Sequence, residues 1–246
     1  MKLWFAAILA VFAVLAVIAQ LTAKDWRTAD RSSAGLAPDP AVTREAVVQI
    51  YAARAINWRG WFAVHTWIAA KQAGADHYDT YQVIGYRLAR TGTAVVTETD
   101  IPDRLWFGAR PILIDDLRGK KAEAAIPRII AAAKAYPYAQ AYRIWPGPNS
   151  NTFISFIIRH VPELTVELPP HAIGKDWGPG GILWGASETG TGYQANLLGI
   201  LGISVGRDVG LEVNILGLNF GIDILHPALK LPFLGRLGMM DKPSEP

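Results

Sequence analysis

The chain has 246 residues, ample for one large domain with a sizeable core, and only 18% of them are charged, which excludes a disordered polyelectrolyte. Its net charge of +3 comes without a Lys/Arg run or an interleaved basic and aromatic strip, so nucleic acid is not an expected partner. Cysteine is absent, which removes disulfides, cysteine-ligated zinc, iron–sulfur clusters and a cysteine nucleophile.

After Met1-Lys2 the run Leu3 to Ala19 is unbroken and apolar, and charge returns with Lys24, Asp25 and Arg27. The run is near the lower limit for a bilayer-spanning helix and longer than the usual core of a cleaved signal peptide. Residues 1–23 are therefore expected to be an uncleaved membrane-anchor helix, with a cleaved signal as the alternative. The rest of the chain is then placed on the periplasmic side of a bacterial inner membrane. Residues 24–40, rich in Ser, Ala, Gly and Pro, read as a linker.

From residue 41 the pattern turns globular. Val48, Ile50 and Ala52 alternate against Val47, Gln49 and Tyr51, which predicts a strand over 46–54. Asn57-Trp58-Arg59-Gly60 predicts a turn, and strands follow over 61–70, 80–88 and 94–98, as in an antiparallel meander. Residues 103–116 read as an ordered loop. The alanine content of 118–136 and the spacing of Ile126, Ile129, Ile130 and Ala133 predict a helix, with Pro127 in its first turn or kinking it.

Trp145-Pro146-Gly147-Pro148-Asn149-Ser150-Asn151-Thr152-Phe153 joins a rigid turn, a polar cluster and a helix start, since Phe153, Phe156, Ile157 and Val161 predict a helix over 151–161. Ser150 then lies where free backbone N–H groups and the helix dipole favour a nucleophile and its oxyanion. An N-cap role for Asn149 or Ser150 fits the same position. Past the Gly-rich loop 174–181, the segment Asn196 to Ile203 is echoed by Asn214 to Ile222. This predicts a long Gly-rich β-hairpin within a β extension over 181–238, with a transmembrane hairpin or a membrane-facing surface as alternatives. Residues 239–246 read as a disordered tail.

Phe62-Ala63-Val64-His65-Thr66-Trp67-Ile68-Ala69 places a single histidine inside a strand. His65-Thr66-Trp67-Ile68 and Asn149-Ser150-Asn151-Thr152-Phe153 together resemble the histidine strand and the Asn-Cys-x-x-Phe helix start of circularly permuted papain-like (PPPDE and LRAT-like) hydrolases, with serine in the cysteine position. More closely, the run from about Val48 to Asp176 resembles a bacterial family known as domain of unknown function 3750. The shared features are His-Thr-Trp-Ile-Ala, Trp-Phe-Gly, Tyr-Pro-Tyr, Trp-Pro-Gly-Pro-Asn-Ser-Asn-Thr-Phe and Ala-Ile-Gly-Lys-Asp. The resemblance implies an α+β fold over 41–180, with a permuted papain-like antiparallel sheet and packed helices.

It also implies a site. Ser150 would be the nucleophile and His65 its base, with Asn149 and Asn151 orienting the base or holding the oxyanion. Thr66, Trp67, Trp145, Lys175 and Asp176 would contact substrate. The expected activity is an amide or ester hydrolase or acyltransferase acting on an envelope component. The alternatives are an inactive module of the same fold that binds an envelope peptide, glycan or lipid, and a structural membrane partner working through the C-terminal hairpin. His77, His160, His171 and His226 have no metal-ligand spacing, so neither a metal nor a cofactor is expected, and the oligomeric state is left open.

Overall fold

In the computed structural model, residues 23–239 are described, together with Trp4, Val14, Val17 and Gln20. Strand β1 (Val47–Arg54) is buried on both faces, as its nearly continuous run of apolar and small residues requires of a central strand. It lies between β2 (Val64–Lys71) and β5 (Ile112–Arg118); β3 (Asp79–Val83) and β4 (Val95–Thr99) complete an antiparallel sheet of order β4-β3-β2-β1-β5. The register pairs Ala53 with His65, Ala52 with Thr66 and Ile50 with Ile68.

That register sorts side chains onto two faces, because successive strand residues point opposite ways. One face carries Ile50, Thr66, Ile68 and Tyr81 and is covered by α2 (Gly119–Ala135) and α3 (Ser150–His160). Ile126, Ile129, Phe153, Ile154 and Ile157 fill that core. The other face carries Tyr51, His65, Trp67 and Gln82 and is covered by the loop that holds Trp106 and by residues 36–37.

Several expectations change here. The segment read as a linker is partly laid against the sheet: the buried Asp103 carboxylate accepts from Ser33 Oγ and from the backbone N–H groups of Leu36 and Ala37. The strand expected over 80–88 stops at Val83 and becomes α1 (Gly85–Thr91), closed by Gly92 at φ 75°. The second half of the expected loop 103–116 contributes to β5. Pro127 falls well inside α2, past its first turn.

The C-terminal region is also more than a hairpin. Strands β6 (Ile182–Ala186), β7 (Gly192–Leu197), β8 (Leu201–Gly206), β9 (Gly210–Ile215), β10 (Leu218–Asp223), β11 (Ala228–Leu231) and β12 (Gly235–Gly238) form one seven-stranded antiparallel meander. The near-repeat in the sequence is two tight reversals: Leu198-Gly199 and Leu216-Gly217 both take positive φ, the second pair closing a two-residue hairpin between Ile215 and Leu218.

The fold is thus a mixed, sheet-rich one, with two antiparallel sheets and three α-helices among the described residues, in place of one papain-like sheet with a hairpin. No helix among the described residues is long and apolar enough to cross a membrane. The expected anchor run lies outside the described residues except for Trp4, Val14 and Val17, and the expected tail lies outside them beyond Met239.

Candidate functional site

The Asn-Ser-Asn-Thr-Phe motif forms a complete capping box. Asn149 Oδ1 accepts from the backbone N–H of Asn151 (2.9 Å) and Thr152 (3.3 Å), while Thr152 Oγ1 accepts from Asn149 N–H (3.0 Å). The Asn149 amide donates to the carbonyls of Ile144 and Ile173, at 3.2 and 3.0 Å. Asn151 donates to the carbonyls of Val64 and Ile173, at 3.1 and 2.8 Å, and accepts from Thr66 Oγ1 at 3.0 Å. Asn149 has its two donors and both lone pairs engaged, and Asn151 its two donors. Two of the free N–H groups at this helix start, those of Asn151 and Thr152, are thus held by Asn149 itself. Gly174 permits the close approach: its φ is 94°, and a Cβ there would come within 2.5 Å of Asn149 Nδ2.

His65 does not reach this cluster. Its neighbour Thr66 points at Asn151, so His65 points to the opposite face of the sheet. There it stacks on Trp106, with ring centroids 3.6 Å apart and 7° between planes, and its Nε2 meets Gln82 Oε1 at 3.1 Å. Burial, with a smaller contribution from Arg104, pushes its pKa down to about 3 against the opposing Gln82 bond, so the ring is neutral. The expected Ser150–His65 pairing is therefore not formed: the two side chains lie toward opposite faces of the sheet. Ser150 itself is buried.

The expected substrate contacts are engaged elsewhere. Trp67 is a core residue, stacked on Tyr51 and donating to the Pro102 carbonyl at 2.7 Å. Half-exposed Trp145 donates its indole N–H to the Leu216 carbonyl at 2.9 Å, on the β9–β10 turn. Thr66 serves the Asn151 joint.

Lys175 and Asp176 belong to a buried ionic cluster whose other members the sequence reading missed. Lys175 Nζ lies 2.8 Å from Glu212 Oε1 and 3.1 Å from Glu167 Oε1, and it donates to the Leu168 carbonyl at 3.2 Å. Lys230 pairs with Glu167 and donates to the Val209 carbonyl at 2.7 Å. Asp176 Oδ2 accepts from Asn214 at 2.9 Å and Asn219 at 3.1 Å. Burial opposes the Lys175 charge, yet Glu212 and Glu167 hold its pKa well above the ordinary lysine value. For Glu167 burial raises the pKa, but Lys175 and Lys230 outweigh it and leave the group below the usual carboxylate range. Glu212 is the surplus acid: burial pushes it up to about 8 despite Lys175. The signal that could have found this cluster was alternation, since Glu212 and Asn214 sit two apart inside an apolar strand.

A family described as Protein of unknown function (DUF3750) matches residues 45–177, more than half of the chain. The chain belongs to this family. No curated protein and no solved structure matches it. The DUF3750 segment holds the first sheet, the Asn149–Asn151 joint and Lys175-Asp176, and it ends five residues before the second sheet begins. The cluster's remaining partners, Glu212, Asn214, Asn219 and Lys230, come from that second sheet. Among the described residues no group of three or more His, Asp or Glu side chains is placed to hold a metal ion.

Beyond the DUF3750 segment the second sheet is inverted. Its inner face presents Gln194, Asn196, Glu212, Asn214, Asn219, Asp223 and Lys230, all buried. Its outer face is apolar, as the register shows: Tyr193, Val205, Leu211, Ile222, Leu229 and Leu237 stand opposite one another strand after strand. Trp184, Ala195, Ile203, Val213 and Phe220 form the adjacent row. Trp184 is 84% exposed and Tyr193 80%.

Proposed function

We propose that the protein is a non-catalytic module of a bacterial envelope membrane, which binds lipid through the outer face of its seven-stranded sheet. The observation that carries this reading is the inversion itself: charged and amide side chains are buried on one face while the outward positions of the seven strands, Gly235 apart, are apolar or aromatic. At about 4.8 Å between strands and about 3.3 Å per residue, such a face covers on the order of 500 Å², near the upper end for apolar patches on soluble monomers. Water is a poor solvent for it, and a bilayer is a good one. The strands have four to six residues, short of the about nine to eleven needed to span a bilayer, and the sheet has open edges. The sheet therefore lies in the interface rather than crossing it. The apolar run Leu3 to Ala19 supports the same environment from sequence. Hydrolysis is not favoured, because among the described residues no histidine or carboxylate is hydrogen-bonded to Ser150 Oγ and its helix N-terminus is already capped.

The absence of cysteine makes the test direct. Single cysteines at Ile203 and Phe220, and at Glu123 on α2 as a control, are labelled with an environment-sensitive fluorophore in the full chain and reconstituted with vesicles. The labels at 203 and 220 shift to the blue and are quenched by nitroxide lipid, whereas the label at 123 is not. Equal water exposure at all three positions overturns the reading.

A further inference from the structure

We infer that a second patch, built around the β1–β2 loop, seats at the headgroup level of an anionic bilayer and fixes how the body lies on the membrane. The inference rests on the lipid-facing reading of the sheet. The loop is a 3₁₀ turn, Asn57–Trp61, with Trp58, Trp61 and Phe62 all exposed, Trp58 by 51%. Aromatic rings of this kind favour the membrane–water interface, where an apolar body meets a polar rim.

Three observations identify the occupant. The first is continuity: Phe62 packs edge-on against Phe233 of the β11–β12 turn, with centroids 5.5 Å apart, and Arg54 donates to the Phe233 carbonyl at 2.7 Å. The loop and the inverted sheet therefore form one surface, carried on through exposed Leu234.

The second is the attachment of Lys24. Lys24 is fastened to this loop, its backbone N–H donating to Asn57 Oδ1 at 2.7 Å and its carbonyl accepting from Asn57 Nδ2 at 3.4 Å. Lys24, which follows the apolar run in sequence, is thus held beside Trp58.

The third is charge. Lys24 is exposed where it meets the loop, its ammonium donating to the Gly108 carbonyl at 3.4 Å, Arg27 is exposed three residues on, over Trp26, and the Arg59 guanidinium lies 5.5 Å from the Trp58 ring centroid. In the segment 24–27 only Asp25 opposes them. Cations at an aromatic interfacial patch fit phosphate-bearing headgroups, each adding about 1 kcal/mol of attraction to an anionic surface.

The test places a fluorophore at Leu234→Cys in the full chain, with Ile203→Cys labelled in parallel, in vesicles of phosphatidylcholine alone or mixed with phosphatidylglycerol. With the mixed lipid, the Leu234 label is quenched by headgroup nitroxide, and Arg59→Gln lowers its ratio of lipid-exposed to water-exposed label about fivefold. Trp58→Ala, which leaves every cation in place, lowers the ratio in both lipids. Leu234 in water while Ile203 is in lipid overturns this inference and leaves the sheet reading standing. Quenching of Leu234 that ignores both phosphatidylglycerol and Arg59→Gln also overturns it, in favour of a purely apolar contact. Both labels in water remove the sheet reading and this inference with it.

Discussion

His65 and Ser150 face opposite sides of one antiparallel sheet. The side chain that follows His65 in the strand, Thr66, reaches the Asn151 beside Ser150, and His65 itself lies against Trp106. A histidine cannot deprotonate a hydroxyl through the strand that carries it. With Ser150→Cys in the full chain, the thiol pKa is expected to stay at or above the free value of about 8.5 and to be indifferent to His65→Gln. Iodoacetamide alkylation measured against pH checks this.

Asn149, not Ser150, is expected to be the residue whose loss is felt. Asn149→Ala removes the capping box and the bond to the Ile144 carbonyl, while the Ile173 carbonyl keeps its bond from Asn151, for a loss of about 2 kcal/mol. Ser150→Ala removes no side-chain hydrogen bond found among the described residues, and is expected to cost under about 1 kcal/mol. Urea unfolding of the two variants separates a joint from a nucleophile.

The ionic cluster should respond unequally to its members. Lys175→Met takes from both buried carboxyls, Glu167 and Glu212, their Lys175 partner and leaves the Leu168 carbonyl without its donor, and is expected to destabilise by about 3 kcal/mol. Glu212→Gln mimics the protonated form that burial already favours and is expected to cost under about 1 kcal/mol near neutral pH. Thermal unfolding of both variants at one pH is the measurement.

Stability is expected to fall on both sides of an optimum. His65 and His171 have folded pKa values of about 3 and about 4, below the ordinary 6.5, chiefly through burial. The unfolded chain therefore binds more protons as pH falls below 6.5, and stability declines from there toward those values, by up to about 1.4 kcal/mol per pH unit for each group. Glu212 acts in the opposite direction. Its folded pKa of about 8 lies above the ordinary 4.5, so the stability it contributes is complete below 4.5 and lost as pH rises toward 8. Glu212→Gln should flatten the alkaline limb and His65→Gln the acid limb, as read from unfolding midpoints across pH.

Local features were legible in the chain because they depend on neighbours in sequence. Phe153, Ile154 and Ile157 mark the buried stripe of α3, Asn149 before them caps it, and the alternation through β1 and β2 identifies both strands. Membership of the DUF3750 family was legible as well, and so was the lack of any cysteine. The Gly-rich region was legible as extended structure but not as seven paired strands, because apolar strands of four to six residues resemble one another and pairing adds only backbone bonds.

The tertiary structure decided which way the chemistry-bearing side chains face. Period two says that His65 and Thr66 point apart, yet only the packing of α3 on Thr66 determines which of them meets Ser150. Likewise, Glu212 and Lys230 inside apolar strands read as interruptions until Glu167 and Lys175, from a loop far away in sequence, lie against them. A buried charge is tolerable only beside its opposite, and the partners here are some forty to sixty residues apart. Once that loop holds the polar face inward, alternation leaves the apolar face outward, so the distant ion pairs are what turn the second sheet inside out.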